Sequence, residues 1–274
     1  MKAASGTKAF GRVAFVGAGP GQADLITVRG AQRLAQASVV LTDALADPAL
    51  RELAPQARWL HVGKRGFADS TGQETINALL VRSAREVGAG GLVVRLKGGD
   101  PSVFGRLEEE LQAMAEAGIE CEVVPGVTAA LAAAASAKRP LTRRGSGRSV
   151  SFSTAMTRAA PDHVAAEAAS GPLRASRSAD TEVFYMAGKQ LGALARQLVR
   201  AGWPTDTEAC VISRAGWPDE LHSDHTIETL GRASMLHAGR PTVVLVGAGA
   251  RPIDAAQPPD TDHIPSPSKA NLST

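Results

Sequence analysis

Short apolar runs and longer segments with helical spacing alternate along the first half of the chain. The runs 39–42 and 92–96 are rich in Val and Leu, which is typical of strands buried in a parallel sheet. Between them, residues 73–87 place apolar side chains such as Ile76 and Leu80 at helical spacing and predict a helix. The other predicted strands are 13–16, 59–62 and 121–124, and the other predicted helices are 25–35, 47–53 and 107–117.

This alternation predicts a doubly wound α/β domain with a mostly parallel sheet over residues 11–126. An Ala-rich helix and a basic linker are expected at 127–148. Residues 149–250 predict a second α/β domain with a mixed sheet and helices, in which the weak alternation over 219–230 indicates an antiparallel edge. Strands are predicted there at 149–153, 183–186, 210–213 and 242–246, and a helix at 191–200.

Three segments lack regular patterns. Residues 1–10 predict a frayed start, 160–180 predict irregular structure, and 251–274, rich in Pro, Asp, Ser and Asn, predict a disordered tail. The first ten residues lack the apolar core of a signal peptide, and no stretch approaches the roughly 18 apolar residues of a membrane span. We therefore expect a cytoplasmic protein without a membrane partner.

Composition narrows the possible partners. The 274-residue chain has a formal net charge of +3 and only 4% aromatic residues, and its cations are scattered. Nucleic-acid binding calls for a basic stripe with stacking aromatics, so we expect no nucleic-acid partner. A mildly basic cleft suits an anionic small molecule instead. Cys121 and Cys210 lie in apolar runs and predict buried, reduced thiols rather than a disulfide.

Glycine-rich turns follow several of the predicted strands. In Lys97-Gly98-Gly99-Asp100-Pro101, the glycines permit positive φ and a close approach of a ligand to the main chain, while Pro101 ends the strand. Because the carboxyl ends of parallel strands share one edge of the sheet, we expect such loops to meet at one cleft. The loops are 17–21, 43–46, 63–67, 97–106 and 125–130, with Asp43, Lys64, Lys97, Asp100, Arg106 and Glu109 on them or close by.

The loop after the first strand leaves a dinucleotide site as an alternative. Gly17-Ala18-Gly19 resembles the start of the nicotinamide-dinucleotide fingerprint, and Asp43 stands roughly where a ribose-binding acid would be. Pro20 and Gln22 depart from that pattern, because the fingerprint opens directly into a helix.

No spacing in the sequence predicts a metal site. His222 and His225 are three residues apart on a predicted strand, so they should point to opposite faces, and a third ligand is missing. The sequence also lacks a nucleophile elbow and the Lys-Ser/Thr ending of a phosphate-binding loop.

A set of ordered motifs is more specific than any of these signals alone. The motifs are Val-Gly-Ala-Gly-Pro-Gly (16–21), Val-Gly-Lys-Arg-Gly (62–66), Val-Val-Arg-Leu-Lys-Gly-Gly-Asp-Pro (93–101), Val-Phe-Gly-Arg (103–106) and Val-Val-Pro-Gly-Val-Thr-Ala-Ala (123–130). With them the chain resembles the tetrapyrrole methylase family over about residues 11–250.

The resemblance implies two α/β domains with S-adenosyl-methionine bound between them, and a homodimer. It also implies C-methylation of uroporphyrinogen III at C2 and C7 to give precorrin-2, a step towards siroheme and cobalamin. Asp43 and Lys64 match positions linked to proton transfer, and Arg106 and Glu109 match a pair at the substrate. Positions matching the family's cofactor site are Pro20, Gly98, Gly99, Asp100, Val103, Thr128, Ala129, Met186 and Ala215.

The chain also departs from the family pattern on the substrate side. Relatives commonly have Asp-Arg-Leu-Val where this chain has Asp43-Ala44-Leu45-Ala46, and Thr-His-Arg-Asp where it has Thr142-Arg143-Arg144-Gly145. An arginine and a histidine are thus missing. Two alternatives follow: a methyltransferase acting on a later precorrin, and a paralogue that binds the cofactor with a lost or altered substrate.

Overall fold

Five parallel strands form the first sheet in the computed structural model, which describes residues 10–62, 72–156, 173 and 175–253. The sheet order is β3-β2-β4-β1-β5, so β4 lies at the centre. Because every pairing is parallel, the carboxyl ends of all five strands meet at one edge. The strands are β1 (Arg12–Gly17), β2 (Val39–Thr42), β3 (Arg58–His61), β4 (Leu92–Lys97) and β5 (Cys121–Val124).

Helices cover both faces of this sheet. Phe15 of β1 packs with Leu80 and Met114 on one face, and its neighbour Val16 packs with Leu34 on the other. Successive strand residues point to opposite faces, so a strand buried on both sides is apolar at most of its positions. The helices are α1 (Val28–Ala35), α2 (Gln73–Val87) and α3 (Leu107–Glu116), which confirms the helices predicted at 73–87 and 107–117.

The two earlier helical segments are shorter than the sequence predicts. A 3-10 helix over Ala23–Leu25 precedes α1, which starts at Val28 with Thr27 as its cap. The segment predicted at 47–53 is a 3-10 helix over Pro48–Leu53. Its start is fixed by Asp47, whose side chain accepts a hydrogen bond from the Ala49 amide at 2.9 Å.

The second sheet is mixed, as predicted. Its order is β6-β7-β10-β8-β9, in which only the β6–β7 pairing is parallel. β9 is an antiparallel edge strand, which confirms the expectation for residues 219–230. The strands are β6 (Val150–Thr154), β7 (Thr181–Tyr185), β8 (Glu208–Ser213), β9 (Leu221–Thr226) and β10 (Thr242–Gly247).

Among the described residues, two helices of different composition cover the second sheet. α5 (Leu191–Arg200) buries Leu194 and Leu198 against one face. α4 (Ala129–Ser136) packs Ala130 and Ala133 against the other, where their small side chains allow a close approach. α4 begins in the loop after β5, so this helix carries the chain from the edge of the first sheet onto the second.

Residues 1–9, 63–71, 157–172, 174 and 254–274 lie outside the described part of the protein. Lys64 is among them, as are most of the segments expected to be frayed, irregular or disordered. Within the described ranges, none of the helices combines the length and apolar character that a membrane crossing requires. The domain boundaries given above stay a prediction.

A buried chain of hydrogen bonds ties β8, β9 and β10 together around His237. Its Nδ1 lies 2.6 Å from Ser213 Oγ, and its Nε2 lies 2.8 Å from Ser223 Oγ. Ser213 Oγ lies 2.7 Å from Thr242 Oγ1, whose hydroxyl donates to the Arg240 carbonyl at 2.8 Å. Because Thr242 uses its proton there, Ser213 donates to Thr242 and accepts from Nδ1–H of His237. The imidazole is therefore held in one neutral tautomer, with Nε2 accepting from Ser223.

We expect the free energy of unfolding to decrease as the pH falls below about 6.5, the pKa of a free imidazole. Burial is the largest cause that lowers the pKa of His237, so the unfolded chain takes up this proton before the folded protein does. Proton binding to one such group lowers the free energy of unfolding by at most about 1.4 kcal/mol for each pH unit. Urea titrations at about pH 7.5 and about pH 5.5 measure the effect.

The matched comparison is His237→Asn, which should show a shallower pH dependence than the wild type. The pKa of His225 is also lowered by burial. The variant His225→Asn therefore measures how much His225 contributes to the pH dependence. A pH dependence that is identical in His237→Asn and the wild type would contradict the assignment.

Candidate functional site

A cleft of about 930 Å³ lies between the carboxyl edge of the first sheet and the second sheet. Loops that follow β1, β2, β4 and β5 form one wall, and the ends of β7 and β8 with the start of β10 form the other. The structure brings together every described candidate from the sequence. They are Pro20, Asp43, Lys97, Gly98, Gly99, Asp100, Val103, Arg106, Glu109, Thr128, Ala129, Met186 and Ala215.

The turn after β4 exposes bare backbone to this cleft. Gly99 has φ +73°, a left-handed conformation that favours glycine, and a Cβ added there would meet nothing nearer than 3.9 Å. Gly99 exchanges backbone hydrogen bonds of 2.7 and 3.3 Å with Gly19. The glycines after β1 are therefore bonded to the β4 turn and do not open into a helix, so the dinucleotide pattern is not met.

Two carboxylates hold the cleft loops in place. Asp43 accepts from the Gly98 amide at 3.0 Å and from the Leu45 amide at 3.0 Å. Asp100 accepts from the Ser102 amide at 2.7 Å through Oδ1 and from the Gly126 amide at 2.8 Å through Oδ2. Asp100 thus fastens the loop after β4 to the loop after β5, and its oxygens keep further lone pairs for a ligand.

Arg106 and Glu109 form one bidentate ion pair at the start of α3. Arg106 Nε lies 2.7 Å from Glu109 Oε1, and Nη2 lies 2.6 Å from Oε2. Both side chains are about half exposed, at 49% and 48%. The pair was expected at the substrate, and the planar guanidinium fixes the direction of the carboxylate.

Left-handed backbone recurs around the cleft at residues other than glycine. Phe104, Arg106, Met186 and Arg214 have φ between +53° and +57°, and all four line the cleft. Such strain persists only where the surrounding structure enforces it, and it concentrates at functional sites.

Comparison with known proteins gives the family. The model of the tetrapyrrole (corrin/porphyrin) methylases matches residues 12–231. The chain belongs to this family. The family and the fold class expected from the motifs are thereby confirmed.

Relatives of this methylase chain include siroheme synthases and solved methyltransferases. It is 41% identical over 272 residues to siroheme synthase 1 of Yersinia pseudotuberculosis and 42% identical over 239 residues to siroheme synthase of Neisseria meningitidis. These alignments cover 97% and 86% of the chain but only 55% and 48% of the relatives, so the chain spans about half their length.

Two solved structures share the fold over most of their length. Uroporphyrin-III C-methyltransferase from Thermus thermophilus, complexed with S-adenosyl homocysteine, is 33% identical with a TM-score of 0.70, covering 86% of this chain and 97% of its own. The cobalamin biosynthetic enzyme cobalt precorrin-4 methyltransferase is 30% identical with a TM-score of 0.73, covering 88% and 96%.

A buried cluster of charges lies next to the cleft, and two of its members, Arg95 and Glu110, were missed in the sequence analysis. Glu110 is fully buried and accepts from Arg95 Nε at 3.0 Å and from Lys97 Nζ at 2.6 Å. Burial, followed by the charge of Arg95, lowers the pKa of Lys97. The signal in the sequence was two cations inside an otherwise apolar buried strand, which requires a buried partner.

Tyr185 was likewise not selected from the sequence. Its hydroxyl lies 2.8 Å from Thr128 Oγ1, and its ring makes an edge contact with Phe104 at 5.0 Å between centroids. Burial is the largest cause that raises the pKa of Tyr185. The contact joins the start of α4 to the end of β7, and so joins the two walls of the cleft.

One cluster away from the cleft offers metal-ligand atoms across β8 and β9. Ligand atoms of Cys210, His222 and Asp224 lie within 4.8 Å of one another. Arg139 Nη2 already donates to Asp224 at 2.6 Å, and burial raises the pKa of the Cys210 thiol to about 12. Both features oppose a cation, and the expectation of no metal stays a prediction.

We expect Glu110→Ala to lower the free energy of unfolding by about 3–5 kcal/mol, because Arg95 and Lys97 would remain buried without their carboxylate. The matched control is Glu109→Ala, one residue earlier on the same helix. Its exposed pair contributes at most about 1 kcal/mol. Urea denaturation of both variants checks this, and losses of equal size would contradict the assignment.

Proposed function

We propose that this chain is an S-adenosyl-methionine-dependent C-methyltransferase that methylates uroporphyrinogen III at C2 and C7 to give precorrin-2. The observation that carries the proposal is the single cleft that gathers every described candidate residue. Similarity to the Thermus uroporphyrin-III methyltransferase supports the substrate, and similarity to siroheme synthases supports the pathway.

The residues of the cleft fit an adenosyl ligand. Gly99 offers backbone with open space above it, so a ligand can approach the main chain closely. Val103, Ala129 and Met186 supply apolar contacts, and Asp100 supplies acceptor oxygens for hydroxyl or amino groups. We assign the cofactor site to Pro20, Gly98, Gly99, Asp100, Val103, Thr128, Ala129, Met186 and Ala215. When bound, the sulfonium compound supplies an activated methyl group.

The chain's own task is then alignment and proton removal. Fixed walls hold donor and acceptor carbon together, which is a proximity effect. After the pyrrole carbon gains the methyl group, the substrate must lose a proton to a base. Asp43 is oriented for this by the amides of Gly98 and Leu45, and Glu109 is oriented by Arg106. Lys64 remains a candidate for proton transfer from its motif, and it lies outside the described residues.

A later precorrin is the second candidate substrate. Similarity to cobalt precorrin-4 methyltransferase favours it, because that protein covers as much of this chain as the uroporphyrin-III enzyme does. The missing substrate-side arginine and histidine leave a cofactor-binding paralogue as a further alternative. Such a paralogue would bind the cofactor without turnover.

We also propose that the protein is a cytoplasmic homodimer. Large apolar side chains face solvent in the described residues, including Met156 at 57%, Met235 at 91% and Leu236 at 50% exposure. Exposed apolar side chains of this size mark candidate protein–protein interfaces when they are contiguous. Light scattering behind size exclusion gives the mass in solution, and a monomer would contradict the dimer.

Incubation with S-adenosyl-methionine and uroporphyrinogen III should yield a product that carries two additional methyl groups. Anaerobic incubation followed by mass spectrometry measures this, and omission of the methyl donor is the control. An unmodified substrate together with binding of S-adenosyl homocysteine would favour a later precorrin or the paralogue.

Asp100→Ala and Glu109→Gln should separate binding from turnover. We expect Asp100→Ala to weaken S-adenosyl homocysteine binding by about 10-fold to 100-fold, because the β4 and β5 loops lose their common acceptor. Glu109→Gln should lower turnover and leave that affinity unchanged. Calorimetry and product assays measure the two effects, and the opposite pattern would refute both assignments.

A further inference from the structure

A single indole hydrogen bond joins the two walls of the cleft at Pro20. Trp217, from the loop after β8, donates through Nε1 to the Pro20 carbonyl oxygen at 3.2 Å. The main chain of the Pro20 loop also lies close to the main chain of the loop after β8. A Cβ added to Gly21 would lie 2.7 Å from the Ala215 oxygen and 3.0 Å from Trp217 Cδ1. The contact therefore depends on glycine at position 21.

The loop that carries Trp217 is braced within the second half of the chain. The Arg214 guanidinium lies over the indole at 4.3 Å from the ring centroid, and Arg214 Nε donates to Asp219 at 2.7 Å. The amide of Gly216 donates to Glu220 at 2.8 Å. The indole ring is thus held by Arg214 of its own loop, and its N–H donates to the opposite wall of the cleft.

The other two tryptophans have the same local chemistry without crossing the cleft. Trp203 donates to the Ser176 carbonyl at 2.7 Å. Trp59 donates to the Ala54 carbonyl at 3.0 Å. Each also has an arginine over its ring, at 5.3 and 5.5 Å. Neither lines the cleft, whereas Trp217 does. The chain therefore contains two natural controls for one cross-cleft residue.

We propose that Trp217 is a positioning residue that fastens the Pro20 loop to the second half of the protein and thereby sets the affinity for the adenosyl ligand. The inference rests on the proposed function, which places the cofactor against Pro20 and Ala215. Those residues belong to opposite walls, and the Trp217 bond holds the walls together at Pro20, whereas the Tyr185–Thr128 bond holds them together at the start of α4. Loss of the bond leaves both walls folded but lets their spacing vary, and a ligand must then order them on binding.

The test compares S-adenosyl homocysteine binding to matched variants by calorimetry. Trp217→Phe keeps an aromatic ring under Arg214 and removes the N–H, so we expect affinity to fall about 2-fold to 10-fold. Trp217→Ala removes the ring as well and should cost more. Trp203→Phe and Trp59→Phe lose equivalent bonds and should bind within about 2-fold of the wild type. Thermal unfolding of each variant checks that it is folded.

A spectroscopic readout separates positioning from general stability. In the double variant Trp59→Phe/Trp203→Phe, Trp217 is the only indole, since the chain has three tryptophans. Addition of S-adenosyl homocysteine should change the wavelength or intensity of its emission. Equal affinities of Trp217→Phe and wild type, or an unchanged emission, would overturn the inference while the proposed function stands. If the wild type itself fails to bind, both are overturned.

Discussion

Backbone-to-backbone packing of three glycines is the constraint on which the cleft depends. Gly17 ends β1, Gly99 follows β4 and Gly126 follows β5, and these three strands are neighbours in the first sheet. A Cβ on Gly126 would lie 2.3 Å from the Gly99 oxygen, and one on Gly17 would lie 2.5 Å from the Gly126 Cα. A side chain does not fit at Gly17 or Gly126, so the backbones of the three turns pack directly against one another. Asp100 then links two of these turns through the Gly126 amide.

The charged groups next to this surface are unfavourable to bury, but they also link β4 to α3. Burying Glu110, Arg95 and Lys97 requires that each remain paired, because an isolated ion inside a protein is strongly unfavourable. The pairs also link β4 to α3, because Arg95 and Lys97 of the strand both contact Glu110 of the helix. The turn after β4 and the ion pair at the start of α3 extend from these same two elements. The geometry of the cleft is thus tied to a buried network whose two cations, Arg95 and Lys97, also line the cleft.

Local signals in the sequence were sufficient to predict most helices and strands, and to predict that the loops of the first sheet meet at one edge. Periodicity located helices such as Gln73–Val87, and apolar runs located β2 and β4, because both patterns are properties of neighbouring residues. Long-range contacts were not predictable in this way. The Trp217–Pro20 bond joins residues 197 positions apart, and the approach of Cys210 to Asp224 follows from strand register. The hydrogen bonds that Asp100 accepts were also not predictable, because one of its partners, Gly126, belongs to a different turn.

The left-handed backbone at Phe104, Arg106, Met186 and Arg214 has a consequence for adaptation. Each such residue costs roughly 1–2 kcal/mol relative to a relaxed conformation. Glycine at these positions would relieve the strain, and its greater freedom in the unfolded chain would offset part of the gain. Selection for heat resistance alone would therefore recover part of that energy. The same replacements would remove the side chains and stiffness that shape the cleft. Stability and activity therefore place opposite demands on these four residues.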